Sequence, residues 1–339
     1  MSNAQWPLVS VVTPVHNGEQ YLRECIESVL TQTYSHLEYV ILNNASTDRT
    51  LEIAEHYRKR DKRIRISSNN RLLPCEANHN KAFTLIAPDS RYCKVLSADD
   101  WLFPECLARM VELGEANPSA GIIGSYQLSG GGGRWYVRNY GLPYAKALIA
   151  GREVCRLHLL GELSVFGNPT SNLYRADLVR GSDTFFPNDA TEADVSACVK
   201  YLQWSDFGFV HQVLSYERLH NDSLTAVALR TNAYLSAAIS DCTTYGNSFL
   251  TAAELEARIK DLLSEYYRYL SVNALKCREK MFWEHHAKRL QELGFPLSRL
   301  RLTTGILVQL IDLVLNPKAT VQLAVRRKRM SSAARGRCP

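Results

Sequence analysis

The segment KVLSADDWLFP, residues 94–104, runs an apolar stretch into two adjacent carboxylates, Asp99 and Asp100. Like charges side by side at the end of an apolar strand repel and need compensation. A solvated turn would supply it. So would a hard divalent cation, Mg2+ or Mn2+, which takes only one or two protein carboxylates and completes its shell with water and substrate phosphates. In a nucleotide site the pair therefore reads as a clamp on a metal and a diphosphate leaving group. Asp194, in NDATEADVSACVKYLQ, stands at the start of a helical pattern. A carboxylate there is favourable with the helix dipole and can also take a proton as a general base, with Glu192 as the nearby competitor. Arg218 and His220 lie close together in YERLHND.

The elements that must position these residues alternate. LVSVVTPVHN reads as a buried strand feeding a loop, and the next helix carries Leu22, Cys25, Ile26, Val29 and Leu30 at helical spacing. LEYVILNN is a second strand. It leads to a helix that Ser46, Thr47 or Asp48 could cap and whose inner face is Leu51, Ile53, Ala54 and Tyr57. RIRISSNN alternates strictly as a third strand, CEANHNKAFTLIA is a helix, and YCKVLSADDW is a fourth strand. Strand–helix alternation implies a parallel α/β sheet with helices on both faces, whose ligands bind beyond the carboxyl ends of the strands. Those ends carry Thr13 to Asn17, Asn43 to Asp48 and Ser97 to Asp100. SGGGGRWY reads as a flexible turn or loop, and VFGNPTSNLYRADLV as a loop, a strand and a helix start. From about Thr225 the pattern is helical, with Leu255, Ile259, Leu262, Leu263, Tyr266 and Leu270 on one long apolar face.

Nine scattered cysteines without a CxxC pair fit reduced, buried thiols and argue against a disulfide framework or a zinc site. Of the net charge of +6, residues 299–339 hold +8 (nine Lys or Arg against Asp312), so residues 1–298 sum to 6 − 8 = −2. The basic character belongs to a tail, and no aromatic interleaving or known module accompanies it, so nucleic acid is not an expected partner. No charge-free run of 18 apolar residues and no basic-then-apolar leader occurs, so neither a spanning helix nor secretion is expected. No GxGxxG follows the first strand, which argues against a dinucleotide-dependent dehydrogenase.

In combination, VSVVTPVHNGEQYLRECIESVLTQTY, LEYVILNNASTDRT, KVLSADDWLFP, FGNPTSNLYRADLV, TEADVSACVKYL and YERLHNDSLT resemble the family 2 glycosyltransferases with the GT-A fold, across about residues 7–225. The resemblance implies an inverting transfer of a sugar from a nucleotide diphosphate donor, UDP-linked by default, to a saccharide or lipid-linked acceptor in surface polysaccharide or glycolipid synthesis. It implies Mn2+ or Mg2+ as cofactor. By it, Thr13, Pro14 and His16 lie along the nucleotide, and Asn43 and Asn44 contact the base and its surroundings. Asp99 faces the ribose and metal, Asp100 the metal and diphosphate, and Asp194 is the base. Arg218, Asn168 and Thr170 line the diphosphate and acceptor side, and His220 adds a metal contact. The family usually carries Asp within the pair that is Asn43–Asn44 here and at Ser97, and many members carry Arg where His79 stands. These departures put a nucleotide-sugar-binding protein without transfer activity forward as the alternative. The expected organisation is a GT-A catalytic domain over 1–225, a mixed Rossmann-like sheet with helices on both faces, then a helical extension over 226–298. An amphipathic helix and basic tail over 299–339 would follow. Ile306, Leu307, Leu310, Ile311, Val314 and Leu315 with the following VRRKRMSSAARGR suit an anionic membrane surface, hence a cytoplasmic protein peripheral at the inner face of the membrane; a helix packed on the catalytic domain is the plainer reading.

Overall fold

The computed structural model describes residues 6–131, 133–187, 192–219, 232–276 and 279–315. Contacts divide the chain into two compact units, Met1–Leu255 and Glu256–Pro339. The first holds a ten-stranded sheet among the described residues, in the order β3-β2-β1-β4-β9-β6-β10-β5, with β7 against β6 and β8 against β10. The strands are β1 Val9–Val15, β2 Leu37–Asn43, β3 Ile64–Ser68, β4 Tyr92–Val95, β5 Trp101–Leu102, β6 Ala120–Gly131, β7 Arg134–Arg138, β8 Leu148–Ile149, β9 Asn172–Arg175 and β10 Asp206–Arg218.

The helices of the first unit are α1 Leu22–Leu30, α2 Thr50–Arg58, α3 Cys75–Phe83, α4 Cys106–Ala116, α5 Gly151–Leu160, α6 Ala176–Arg180, α7 Ala193–Tyr201 and α8 Ala233–Phe249. The unit extends past residue 225, where the sequence suggested a boundary, because α8 packs on α5 and α7. The helix α9, Ala252–Ala274, spans the division.

β1 pairs in parallel with β2 and β4, and β2 with β3, as βαβ units require. The sheet is mixed, however. β9 runs antiparallel to both β4 and β6, and β5 antiparallel to β10. The local turns explain this. β9 follows a short 3-10 turn at Pro169–Ser171 and enters between two strands already in place. The glycine run read as a loop is instead a hairpin: Ser129 to Gly131 end β6 and pair with Arg134 to Tyr136 of β7. Gly130 serves that hairpin, since a Cβ there would meet the Trp135 ring at 2.7 Å.

Side chains of β1, β2 and β4 and the inner faces of α1, α2 and α4 form one core, including Val11, Leu22, Ile26, Tyr39, Ile41, Ile53, Leu107 and Met110. Leu51, expected on the inner face of α2, is exposed, and the buried Thr50 takes that place. Its hydroxyl and amide both bond to Asp48 Oδ1, so Asp48 performs the capping.

In the second unit, α10 (Lys280–Glu292) and α11 (Arg299–Leu315) accompany the remainder of α9. Tyr266 and His286 share a buried hydrogen bond of 2.8 Å, and Ser298 N donates to Tyr267 Oη at 2.7 Å. Along α11, Leu307, Val308, Ile311, Val314 and Leu315 are exposed. No described helix is long and apolar enough to cross a membrane.

Candidate functional site

The carboxyl ends of β1, β2 and β4 do converge, and their loops are stitched together by side-chain bonds. Asn17 Oδ1 accepts from Thr47 N at 2.9 Å and Asn17 N donates to Ser46 Oγ at 3.0 Å. Gly18 N donates to Thr50 Oγ1 and Glu19 N to Asp48 Oδ2. Against the opposing effect of burial, the Thr50 hydroxyl and then the amides of Glu19 and Thr50 hold Asp48 below the usual carboxylate range. Asn17 and Ala45 both adopt positive φ, 50° and 53°, the cost of turning two loops so tightly.

The acidic turn has two unlike members. Asp100 is 3% exposed. Its Oδ1 accepts from Arg218 N at 2.9 Å, and its Oδ2 accepts from Thr170 Oγ1 at 2.7 Å, with Asn168 Nδ2 at 3.5 Å. Burial, and then the charge of Asp99, push Asp100 well above the usual carboxylate range. Asp100, expected toward the metal and diphosphate, has both carboxylate oxygens bonded within the protein, while Asp99 beside it is half-buried. Asn168 and Thr170, expected on the diphosphate and acceptor side, both bond to Asp100. Thr170 is fully buried, and Asn168 Oδ1 also takes a bond from Gln127 Nε2 at 2.8 Å. Gly167 permits this, since at its φ of +59° a Cβ would strike Ser171 Oγ at 2.2 Å.

Arg218 is likewise turned inward. Its Nε donates to the Asp99 carbonyl at 3.1 Å, and its guanidinium pairs with Glu24. The guanidinium lies 4.3 Å from the Tyr21 ring centre and 5.2 Å from that of Trp101, which stacks on Tyr216 at 3.7 Å. Such cation–π packing fastens the turn to α1. His220 lies outside the described residues.

The nucleotide-side residues divide similarly. Thr13 and Pro14 are buried within β1, and Thr13 Oγ1 lies 3.0 Å from Tyr39 Oη, so Thr13 faces the core. His16 is exposed at the strand end, its Nδ1 2.9 Å from the Asn44 carbonyl. Asn43 Oδ1 accepts from Ser46 N, and its amide donates to Ser68 Oγ. Asn44 Oδ1 accepts from both Asn69 Nδ2 and Leu73 N at 2.9 Å, and its Nδ2 donates to the Leu73 carbonyl. Both lone pairs of that oxygen are taken. Asn44, expected near the base, ties the 69–73 loop to β2. His79 sits on α3 with Nδ1 2.9 Å from the Cys75 carbonyl, its ring 5.5 Å from Phe186, and burial lowers its pKa. His79, expected among the nucleotide-binding residues, is half-buried there.

Asp194 occupies the first turn of α7, and burial raises it to about 6 against the pull of its own and Val195's amides and of Arg138. Glu192, just before the helix, is raised further, to about 8, by burial and then by the Asp194 charge.

Sequence reading missed Arg138 and Glu217. Arg138 Nη1 lies 2.9 Å from Glu217 Oε2, which also takes a 2.5 Å bond from Ser129. Glu217 raises both Asp100 and Asp194, so the acidic turn and the α7 carboxylate share one electrostatic neighbourhood. The signal was alternation: Arg138 and Glu217 flank Gln127 and Ser129 of β6 only once the pairing of three strands is known.

For a divalent cation, the described residues contain no group of three His, Cys, Asp or Glu able to hold one. Asp99 alone, with a diphosphate supplying further oxygens, suits Mg2+ or Mn2+, which need few protein ligands. The residues present fit such a group.

Residues 10–180 match the model of glycosyl transferase family 2. The glycosyltransferase GlyG of Streptococcus pneumoniae serotype 4 is 26% identical over 290 residues, covering 80% of this chain and 92% of that protein. An uncharacterized glycosyltransferase of Haemophilus influenzae is 38% identical over 120 residues, covering 35% of this chain and 36% of that protein. The match to EpsJ, an uncharacterized glycosyltransferase of Bacillus subtilis, covers 31% of that protein, so the chain spans about a third of these two relatives. Among solved structures, S. aureus TarS 1–349 in complex with UDP-GlcNAc superposes with a TM-score of 0.60 at 17% identity, over 84% of this chain and 80% of that one. The mannosyltransferase PcManGT from Pyrobaculum calidifontis, in complex with GDP-Man and Mn2+, superposes with a TM-score of 0.54 at 13% identity, over 92% of this chain and 87% of that one. The fold is GT-A, followed by C-terminal helices.

Proposed function

The chain belongs to glycosyl transferase family 2, and from that premise we propose that it is an inverting enzyme. It moves a sugar from a nucleoside diphosphate donor to a hydroxyl of a saccharide or lipid-linked acceptor. What supports this reading is the placement of Asp194, a half-buried carboxylate in the first turn of α7 that burial raises to about 6, with Glu192 just before the helix raised to about 8. A base that is ionised at neutral pH yet still basic enough to take a proton is what transfer to a hydroxyl needs. Asp194 accepts the acceptor hydroxyl proton as that oxygen bonds to the anomeric carbon. The bond from that carbon to the diphosphate oxygen breaks on the opposite face, and its electron pair leaves with the diphosphate. Arg138 and Glu217 hold the field around Asp194. The Asp99 carboxylate, with the donor diphosphate, would hold a divalent cation, which when bound neutralises charge on the leaving group.

UDP is the default nucleotide, supported by the complexes of TarS, with surface polysaccharide or glycolipid as the product class. The exposed apolar residues of α11 and the basic residues beyond it support attachment to an anionic membrane at its cytoplasmic face. Deleting residues 317–339 should weaken sedimentation with anionic vesicles, and unchanged sedimentation would remove that part of the proposal.

A second reading, a nucleotide-sugar-binding protein without transfer, draws on Asn44, whose oxygen is saturated by internal donors. Turnover of nucleotide sugars assayed with Mn2+ and Mg2+ separates the two. Metal-dependent release of the nucleoside diphosphate, abolished in Asp194→Asn, supports transfer. Binding without turnover of any donor supports the second reading.

A further inference from the structure

Lys94 lies in β4 with no exposure to solvent. A buried ammonium is costly unless its N–H groups find acceptors. Nζ has three: the Thr170 carbonyl at 2.7 Å, the Asn172 carbonyl at 3.1 Å and Met110 Sδ at 3.7 Å. Three acceptors match the three donors of an ammonium, and all are neutral. Burial holds Lys94 below the usual lysine range. An apolar residue would sit in this strand at lower cost, so the gain from lysine lies in the two carbonyls it satisfies.

Those carbonyls bracket the end of the 3-10 turn Pro169–Ser171. Thr170, whose carbonyl oxygen takes the lysine, is the residue whose hydroxyl donates to Asp100 Oδ2 at 2.7 Å. The same hydroxyl oxygen accepts from Ser97 N at 3.2 Å. One residue thus joins a buried cation to both ends of the acidic turn.

We propose that Lys94 is a positioning residue for that turn. By fixing the carbonyls of Thr170 and Asn172 it holds the Thr170 hydroxyl on Asp100 and Ser97, and so sets where Asp99 presents its carboxylate to a cation and diphosphate. This deepens the reading that Asp99 faces the cation, and rests on it. The motif reading of Ser97-Ala98-Asp99-Asp100 does not reach the lysine, which stands before it on the strand.

The test uses the full chain as parent, Lys94→Met, Thr170→Val and the double variant, with two readouts. The first is Mn2+ binding in the presence of UDP, followed by the electron paramagnetic resonance of free Mn2+. Each single variant should weaken binding about tenfold, as removal of a supporting contact behind a metal ligand does. The double variant should also lose about tenfold, because both changes break one link. Unchanged Mn2+ affinity in Lys94→Met, or losses that multiply to about a hundredfold in the double variant, overturns the proposal. The second readout is amide hydrogen exchange without metal over residues 96–101 and 168–172. Both turns should exchange faster in Lys94→Met, and unchanged exchange overturns the proposal whether or not the parent binds Mn2+. Absence of Mn2+ binding in the parent overturns instead the cation reading of Asp99, and exchange then decides Lys94. If Lys94→Met does not fold, Lys94→Gln keeps one donor group and is read in the same way, with values expected between those of the parent and Thr170→Val.

Discussion

Two strand ends in this molecule carry paired side chains, Asn43–Asn44 after β2 and Asp99–Asp100 after β4, and they use them differently. At the amide pair both members are buried, and each is consumed by neighbouring backbone and side chains. At the acidic pair the two members differ in burial. Asp100 is buried and takes the donors of Thr170 and Arg218, and Asp99 stands at the half-buried edge. A doublet at a strand end thus need not be two ligands. One member can build the turn that aims the other. Where both build, as with Asn43 and Asn44, the loop gains rigidity and offers a ligand fewer side-chain groups.

The strongest break of this scheme lies across the site at α7. Asp194→Asn should lower kcat by about 10²- to 10⁴-fold with little change in donor affinity, since it removes proton transfer alone. Steady-state kinetics with a competent acceptor check this. Next, Asp99→Asn and Asp100→Asn should part company. Asp99→Asn should weaken Mn2+-dependent donor binding at least tenfold while leaving Tm within about 2 °C. Asp100→Asn should lower Tm by several degrees as well, because it disturbs bonds to Arg218 and Thr170. Calorimetry beside isothermal binding measures both. Equal effects of the two variants on Tm would erase the distinction between builder and ligand.

A smaller effect should appear at the amide pair. Asn44→Ala leaves the Leu73 amide and carbonyl without their side-chain partner and the Asn69 amide with Asn78 Oδ1 as its remaining acceptor, at a cost of about 1–3 kcal/mol in urea unfolding. Asn43→Ala, which loses a 3.1 Å bond and a 3.3 Å bond, should cost less.

Legibility in the sequence followed the range of the interactions. The helices α1 and α3 and the strands β1 to β4 were readable because spacing and burial agree within each segment. The mixed sheet was harder, because β9 enters antiparallel between β4 and β6, a choice set by distant partners. Candidate site residues were readable as residue types at strand ends, but the contacts they make within the protein were not. The inward turn of Arg218 depends on Glu24 and Tyr21 of α1's beginning, and that of Asp100 on Thr170. The hairpin was hidden by its glycines, which suit close packing of Trp135 as well as they suit a loop.

A fourth effect, the smallest, concerns stability. Asp194, Glu192 and Asp241 are raised by burial to about 6, 8 and 6. A carboxyl group with a raised folded pKa binds its proton more tightly when folded. It therefore favours the folded state until pH rises past its unfolded value, and the advantage is lost as pH climbs through the folded value. Between about pH 4 and 8 these groups should lower Tm as pH rises. Asp241→Asn, which keeps an acceptor for the 2.6 Å bond from Ser196, should flatten part of that slope. Thermal scans from pH 5 to 8 measure it.

The most direct test of Asp194 as the base is the pH dependence of kcat/KM in the parent and in Glu192→Gln. The account predicts a limb falling tenfold per pH unit below about pH 6 in both, at the same position, because Glu192 is already neutral at that pH. A parent limb near pH 8 that vanishes in Glu192→Gln would contradict it and make Glu192 the base.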